Sequence, residues 1–154
     1  MSVVGLDLRG EKAMIAALKD LEGSINRRVI KGATRKAMKP LIKAARAKIR
    51  PHDRTGQLRK SIGIRQKKFA SGIVWTGVWP RRGFFINTEE FGRVDPQFYS
   101  HLLEFGNQRF SGSPWMRPAW DANKGAIQST LVKELKIGIA KEVVKARRKA
   151  GGPK

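Results

Sequence analysis

The stretch SINRRVIKGATRKAMKPLIKAARAKIR, residues 24–50, decides the fold predicted for this chain. Its apolar positions recur every fourth residue, as on one face of an α-helix, and basic residues fill the spaces between them. The apolar stripe consists of Ile25, Val29, Ala33, Ala37, Leu41, Ala45 and Ile49. The spacing predicts a long amphipathic helix with a kink at Pro40, because proline removes a backbone donor and clashes with the preceding turn.

The rest of the chain predicts a small sheet and further helices. Alternating apolar residues indicate strands over 58–65 and 72–79, a weak strand over 3–8, and a short strand over 84–87 within a long loop, 80–98. Helical periodicity indicates a short helix over 11–21 and a long one over 119–146. The prediction is an α+β fold, in which a small, mostly antiparallel sheet of about four strands is covered by two long amphipathic helices.

Length and composition predict one domain. The 154 residues, 40% of them hydrophobic, suit a single α+β domain over 1–148, followed by a basic flexible tail over 149–154. The absence of cysteine excludes disulfides and cysteine nucleophiles. The sequence has no apolar run long enough to span a membrane, and its start, MSVVGLDLRGEK, has no secretory pattern, so an intracellular product is expected.

Charge is the strongest compositional signal. The formal net charge is +21, and residues 23–52 contain no acid. Such an excess repels itself unless an acidic partner neutralises it, and nucleic acid or an acidic protein is favoured over a membrane. The predicted contacts with an acidic partner or DNA are Arg28, Lys31, Arg35, Lys39, Lys43, Arg46, Arg147, Arg148 and Lys149.

The candidates for catalysis do not converge. His101 and Glu104 would share one face of a helix, and a basic RNase-like toxin could use such a pair, but no recognised catalytic motif accompanies them. Two separated histidines without cysteine do not make a zinc site. The sequence therefore predicts no enzyme, metal or cofactor. Trp75 and Trp79, at strand spacing, are predicted to be core residues rather than a base-stacking platform.

Three motifs occur in a characteristic order. Residues 54–62 read RTGQLRKSI, residues 99–106 read YSHLLEFG, and residues 114–119 read PWMRPA. In this order they resemble the tail-completion, or neck, family of long-tailed bacteriophages and prophages, in which the forms TG-x-L-x-x-S-I, Y-x-x-x-x-E-F-G-T and P-F-L-R-P-A are typical. Asn107 and Trp115 depart from the usual Thr and Phe. The residues that carry the resemblance are Thr55, Gly56, Leu58, Ser61, Tyr99, Glu104, Phe105, Gly106, Pro114, Arg117 and Pro118.

The resemblance implies a non-enzymatic virion protein that joins the tail to the head connector. It implies a ring, often a hexamer, that contacts the connector or stopper protein and the tail terminator or tail tube, in the virion neck after assembly in the host cytoplasm. The 80–98 loop is the first candidate for a subunit or tube contact. A non-specific DNA-binding or packaging protein remains the alternative, since charge alone supports it.

Residues 99–120 also predict a structural ion pair. Glu104 lies in an apolar run, and burying its carboxylate is costly unless the group is paired. Arg117 is the predicted partner, because its guanidinium can engage a carboxylate through two hydrogen bonds, and Arg109 is the reserve. The pair would fix where the last helix leaves the sheet.

Overall fold

The structure is a computed structural model that describes residues 12–19, 21, 23–69, 73–90 and 92–150. The strand predicted over 3–8 lies outside these residues, as does the part of the predicted tail over 151–154. Six α-helices are found in the described part: α1 Lys12–Lys19, α2 Gly23–Ala37, α3 Lys39–Ile49, α4 Gln57–Ser61, α5 Pro96–Phe105 and α6 Met116–Ala150. A 3₁₀ turn, Arg50–His52, follows α3.

The long basic helix is divided into α2 and α3 at Met38, two residues before the predicted kink. Pro40 occupies the first turn of α3, where a missing backbone donor does little harm. Met38 still donates to the Thr34 carbonyl at 3.1 Å and accepts from Ile42 at 3.2 Å. The apolar stripe therefore runs from one helix into the next without losing its direction.

The core forms between this stripe and α6. The buried stripe residues Val29, Ala33, Ala37, Leu41, Ala45 and Ile49 share one hydrophobic cluster with Ile127, Leu131 and Leu135 of α6. Small residues let the helices approach closely: a Cβ added at Gly138 would lie 2.7 Å from a methyl of Val29. Lys36 Nζ also meets Glu134 Oε2 at 2.7 Å across the α2–α6 contact.

Within the described residues, four strands form two separate antiparallel pairs rather than one sheet. Strand β1, Ile62–Lys68, pairs with β2, Val74–Pro80, and β3, Ile86–Thr88, pairs with β4, Gly92–Val94. The loop predicted over 80–98 therefore contains the β3–β4 hairpin and the start of α5. The α+β class is confirmed, whereas the single four-stranded sheet is wrong for the described residues.

The strand predicted over 58–65 is also wrong in its first half. Gly56 has φ of +73°, a left-handed conformation that suits glycine, and it starts α4 directly afterwards. Leu58 and Ser61 are both fully buried on the inner side of this short helix. In so short a segment, apolar residues at every second or third position fit one helical turn as well as a strand. Periodicity alone therefore did not distinguish a helix from a strand over residues 58–61.

The β1–β2 pair has an inner and an outer side. Ile62 and Val78 face inward and are buried in the core cluster. Gln66 and Thr76, opposite each other on this same side, hydrogen-bond to α2 through Thr34 Oγ1 at 3.1 and 3.0 Å. The other side carries Arg65, Lys67, Trp75 and Trp79, which we call the outer sheet face. The sheet is thus fixed to α2 by its inner side.

Candidate functional site

The first motif, residues 54–62, builds α4 and its connection to β1. Asp53 Oδ2 accepts the Arg59 backbone N–H at 2.7 Å and so caps the first turn. Ser61 Oγ donates to the Leu58 carbonyl at 2.6 Å. Arg81, after β2, donates its backbone N–H to the Ser61 carbonyl at 2.9 Å. These contacts give Ser61 and its neighbours a structural role at the start of the sheet.

The second and third motifs meet at Glu104, which is 4% exposed. Its carboxylate accepts three backbone N–H groups at the start of α6: Oε2 from Trp115 at 2.7 Å and Met116 at 2.8 Å, and Oε1 from Arg117 at 3.1 Å. The first turn of α6 has no acidic residue of its own. A side chain of α5 therefore caps α6, and its negative charge lies at the positive end of the helix dipole.

The predicted ion pair between Glu104 and Arg117 is replaced by this cap. Arg117 reaches the carboxylate through its backbone N–H, and its guanidinium lies 5.0 Å from the centre of the exposed Phe105 ring. The reserve partner, Arg109, is exposed and donates its backbone N–H to Asn107 Oδ1. No ion pair found among the described residues involves Glu104. The backbone donors serve the carboxylate without bringing a second charge into the core.

The loop after α5 returns the chain to Glu104 by a close backbone crossing. Gly106 has φ of +74°, and a Cβ placed on it would lie 2.5 Å from the Gly112 nitrogen. A Cβ on Gly112 would lie 2.6 Å from the Gly106 nitrogen. Ser113 then donates its backbone N–H to the Leu103 carbonyl at 2.7 Å. Glycine at both positions lets the chain approach α5 closely enough for the Trp115 N–H to reach Glu104. We call this arrangement of Glu104, Gly106, Gly112 and the start of α6 the helix junction.

Tyr99 lies five residues before Glu104 in α5, and its ionisation responds to the carboxylates that cap α4 and α5. Its phenol has its pKa raised from the usual 10.0, chiefly because burial disfavours the charged form and further because the negative charges of Asp53 and Asp95 oppose ionisation. Asp95 caps α5 by accepting the Gln97 N–H at 3.0 Å. Tyr99 packs against the core cluster. The first residue of the second motif is therefore influenced by the charges of the carboxylates that cap α4 and α5.

A protein-family model described as "Bacteriophage HK97-gp10, putative tail-component" matches residues 12–106, from α1 to the glycine that ends α5. The chain belongs to this HK97-gp10-like family. Neither a curated protein nor a solved structure matches it. The match confirms the phage-tail resemblance predicted from the three motifs, and it covers the first two of them. The third motif, residues 114–119, lies beyond the matched residues, and what the resemblance implies for it stays a prediction.

In this HK97-gp10-like protein the two residues considered as a candidate acid–base pair lie in different environments. His101 is exposed, whereas Glu104, three residues later, is buried and occupied by three backbone donors. His52 is exposed in the 3₁₀ turn. Among the described residues, no three His, Cys, Asp or Glu side chains form a group that could hold a metal ion. Within the same residues, no helix is long and apolar enough to cross a membrane.

The predicted basic contacts fall into different positions. Arg35, Lys39, Lys43 and Arg148 are exposed. Lys31 is half-buried, and Arg28 lies 3.8 Å from Glu142 of α6 in an ion pair. Arg46 is half-buried and donates to the Ile62 carbonyl at 2.8 Å, so its guanidinium attaches α3 to β1. Arg147 and Lys149 belong to α6, but their side chains lie outside the described part.

The tryptophans also separate into two groups. Trp115 is 1% exposed and belongs to the core, where its Nε1 donates to the Ser100 carbonyl. Trp75 is 44% exposed and Trp79 is half-buried, both on the outer sheet face. The prediction of a core position for Trp75 is wrong. Residues 73–79 are apolar on both sides of the strand, and this signal could have marked the outer side as a contact surface.

Proposed function

We propose that this HK97-gp10-like protein is a structural, non-enzymatic protein of the phage neck that joins the completed tail to the head connector. The family match over residues 12–106 carries the proposal, because it places the chain among bacteriophage tail components. Such a component assembles with other phage structural proteins. We propose as its partners the connector or stopper protein on one side, the tail terminator or tail tube on the other, and further copies of itself in a ring.

The geometry at Glu104 supports a non-enzymatic role. A general acid or base needs a proton-transferring group directed at a substrate site. The Glu104 oxygens instead accept backbone N–H groups at the start of α6. His101 is exposed at the surface and Glu104 is buried, so the two do not act on a common site. Of the two residues that suggested a nuclease-like toxin, Glu104 caps α6 and His101 is a surface residue.

Deletion of the gene tests the joining role. We expect filled heads and separate, unattached tails in lysates of the deletion phage, and complementation by the intact gene should restore infectious particles. Complementation by the His101→Ala variant should restore them equally. Normal virions from the deletion would contradict the joining role, and a failure of His101→Ala alone, with the protein folded, would favour the chemical alternative.

DNA contact is a second candidate function, favoured by the surface of α2 and α3. Arg35, Lys39 and Lys43 are exposed and have no ion-pair partner among the described residues. We propose that some basic residues of the protein meet acidic surfaces of neighbouring neck proteins and that a few reach the phage DNA. Strong binding along the whole channel would oppose the sliding of DNA during ejection.

Duplex DNA retention as a function of salt tests this second candidate. Retention should fall steeply as salt rises, because phosphate contacts release counterions. The triple variant Arg35→Gln, Lys39→Gln, Lys43→Gln should reduce the salt slope by about 3 if all three residues touch phosphates. A matched triple change at exposed basic residues elsewhere, Arg109→Gln, Lys133→Gln and Lys141→Gln, controls for net charge. Retention without salt dependence would contradict the electrostatic contact.

A further inference from the structure

Among the acidic residues that the structure describes, two carboxylates stand apart. Asp53, Asp95 and Glu104 accept backbone N–H groups. Asp121, Glu134 and Glu142 form ion pairs with basic side chains. Glu89 and Glu90 are exposed and make neither a hydrogen bond nor an ion pair within the described residues. They lie side by side in the turn between β3 and β4, and we call them the acidic turn.

The acidic turn lies at the tip of a hairpin with little burial of its own. None of the described residues over 86–94 is buried. The base of the hairpin is closed by Asp95 Oδ2, which accepts the Gly83 N–H at 2.9 Å. One side is covered by the Arg93 guanidinium, which lies 3.8 Å from the centre of the Phe85 ring. The hairpin is held at its base, and the Glu89 and Glu90 carboxylates at its tip are available for contact with another molecule.

The outer sheet face has the opposite charge. Arg65 and Lys67 of β1 are exposed there, and neither β1 nor β2 contains an acidic residue. Lys67 lies opposite Trp75 in the strand register, and Arg65 lies opposite Gly77. The Trp75 indole extends over Gly77, where a Cβ would come within 2.5 Å of the ring. A broad aromatic surface with two cations beside it results. Tryptophan and arginine are the residues most enriched at the centres of protein interfaces.

We propose that the acidic turn of one copy docks on the outer sheet face of a second copy, with Glu89 and Glu90 beside Arg65, Lys67 and Trp75. The proposal rests on the ring assembly of the proposed function and names the surfaces that form it. The two surfaces differ, so the contact is head-to-tail, the kind that closes into a ring when the rotation between copies permits.

The complementary charges of the two surfaces favour a second copy as the occupant. Chains of net charge +21 repel each other, so a contact between copies needs acids at the interface. Within the described residues, the acidic turn is where carboxylates are exposed and unpaired. The pairing brings them to cations that have no acid near them in their own sheet. It also covers the exposed Trp75 indole, whose burial adds apolar area to the charge attraction.

Disulfide trapping in the complete protein tests the contact. The sequence has no cysteine, so each introduced thiol is unique. Glu90→Cys and Lys67→Cys are prepared as separate variants, mixed, and oxidised with oxidised glutathione. We expect a disulfide-linked dimer that contains one chain of each variant. Glu90→Cys mixed with Lys133→Cys, an exposed position on α6, is the matched control. A mixed dimer no more abundant than in the control overturns the proposal.

Charge reversal tests the same contact without a crosslink. Glu89→Lys, Glu90→Lys should weaken self-association measured by sedimentation velocity by about tenfold or more, as should Arg65→Glu, Lys67→Glu. A mixture of the two double variants should regain association, since each supplies the charge that the other lacks. Circular dichroism and urea unfolding should be unchanged in both. Failure of the mixture to regain association overturns the pairing, and so does an Arg65→Glu, Lys67→Glu variant that associates normally but loses DNA retention.

The two levels of the proposal fail differently. If wild-type protein assembles into rings but the Glu90→Cys and Lys67→Cys variants do not crosslink when mixed, the docking contact is overturned and the neck role is left intact. If wild-type protein is monomeric in solution and the Glu90→Cys and Lys67→Cys variants do not crosslink in assembled particles either, the ring and the docking contact are overturned together. Normal virions after gene deletion contradict the joining role whatever the crosslinks show.

Discussion

Glu104 and Glu90 are the same residue in opposite surroundings. Glu104 is buried at the helix junction, where three backbone N–H groups satisfy its carboxylate. Glu90 is exposed in the acidic turn and has no partner within the described residues. The first carboxylate fixes the direction of α6 inside one chain. The second is free to meet another molecule. The protein has 33 basic and 12 acidic residues. The comparison shows that an acidic residue stabilises the fold where hydrogen-bond donors surround it, and is available for contact with another molecule where they do not.

The largest expected effect on stability comes from removing Trp115, and the same change at Trp75 provides the comparison. Trp115→Ala at the helix junction should lower the free energy of unfolding by about 3–5 kcal/mol, because it leaves a large cavity in the core. Trp75→Ala on the outer sheet face should cost much less stability, because its side chain is 44% exposed. Urea unfolding measures both. Equal losses for the two variants would break the distinction between a closed junction and an open face.

Removal of the Glu104 carboxylate should have the next largest effect. Glu104→Ala should destabilise the protein by about 3 kcal/mol, since three backbone donors lose a charged acceptor and hydrogen bonds to charged groups contribute about 1.5–3 kcal/mol each without adding fully. Glu104→Gln, which keeps one acceptor oxygen, should fall between this variant and the wild type. Asp121→Ala, at an exposed acid of α6, is the control, and an equal loss there would contradict the capping role.

A substitution at the backbone crossing should change stability less, and a control glycine in α6 should change it in the opposite direction. Gly112→Ala should cost about 1–3 kcal/mol, because the new methyl would collide with the backbone of residues 104–106. Gly125→Ala, in the exposed middle of α6 with nothing near its Cβ position, should instead stabilise by up to about 1 kcal/mol through helix propensity. Thermal unfolding of the two variants compares them. A neutral Gly112→Ala would show that the crossing can open without loss.

The smallest effect concerns Tyr99, the only tyrosine of the chain. Its pKa is raised in the folded protein by burial and by the charges of Asp53 and Asp95. Its contribution to stability is complete below the unfolded-state pKa of about 10 and is lost as the pH rises through the folded-state pKa. Tyrosinate absorbance should therefore titrate at a higher pH in folded protein than in urea. Tyr99→Phe should weaken the fall in stability at alkaline pH, and an unchanged fall would contradict this origin.

Much of the helical fold could be predicted because one pattern repeats over many residues. The four-residue recurrence from Val29 to Ile49 indicated the stripe that is buried, and Pro40 indicated a break close to its actual place at Met38. The sheet was harder, since 58–61 satisfies both a helical turn and a strand until the left-handed Gly56 is known. Short segments with few apolar residues do not contain enough periods to decide.

The helix junction was predicted in position but not in chemistry. The sequence indicated that Glu104 must be satisfied near Arg117, and it is, but by backbone donors that no side-chain pattern displays. The available signal was the first turn of α6, which lacks an acid of its own and so needs an acceptor from elsewhere. The outer sheet face depended on which side of β2 meets α2, and that is set by tertiary contacts rather than by alternation.

The last turns of α6 give the protein a reach that a flexible tail would not have. Arg28 holds Glu142 against the body, and the helix continues to Ala150, about 12 Å farther at 1.5 Å per residue. Val143, Val144 and Arg148 are exposed along this extension, and basic residues suit the negative end of the helix. A flexible segment would hold its basic residues at varying distances from the core, whereas a helix holds them at one distance. Every copy in the proposed ring would therefore present Arg148 at the same distance from the body, so that the direction of the helix determines what this residue contacts.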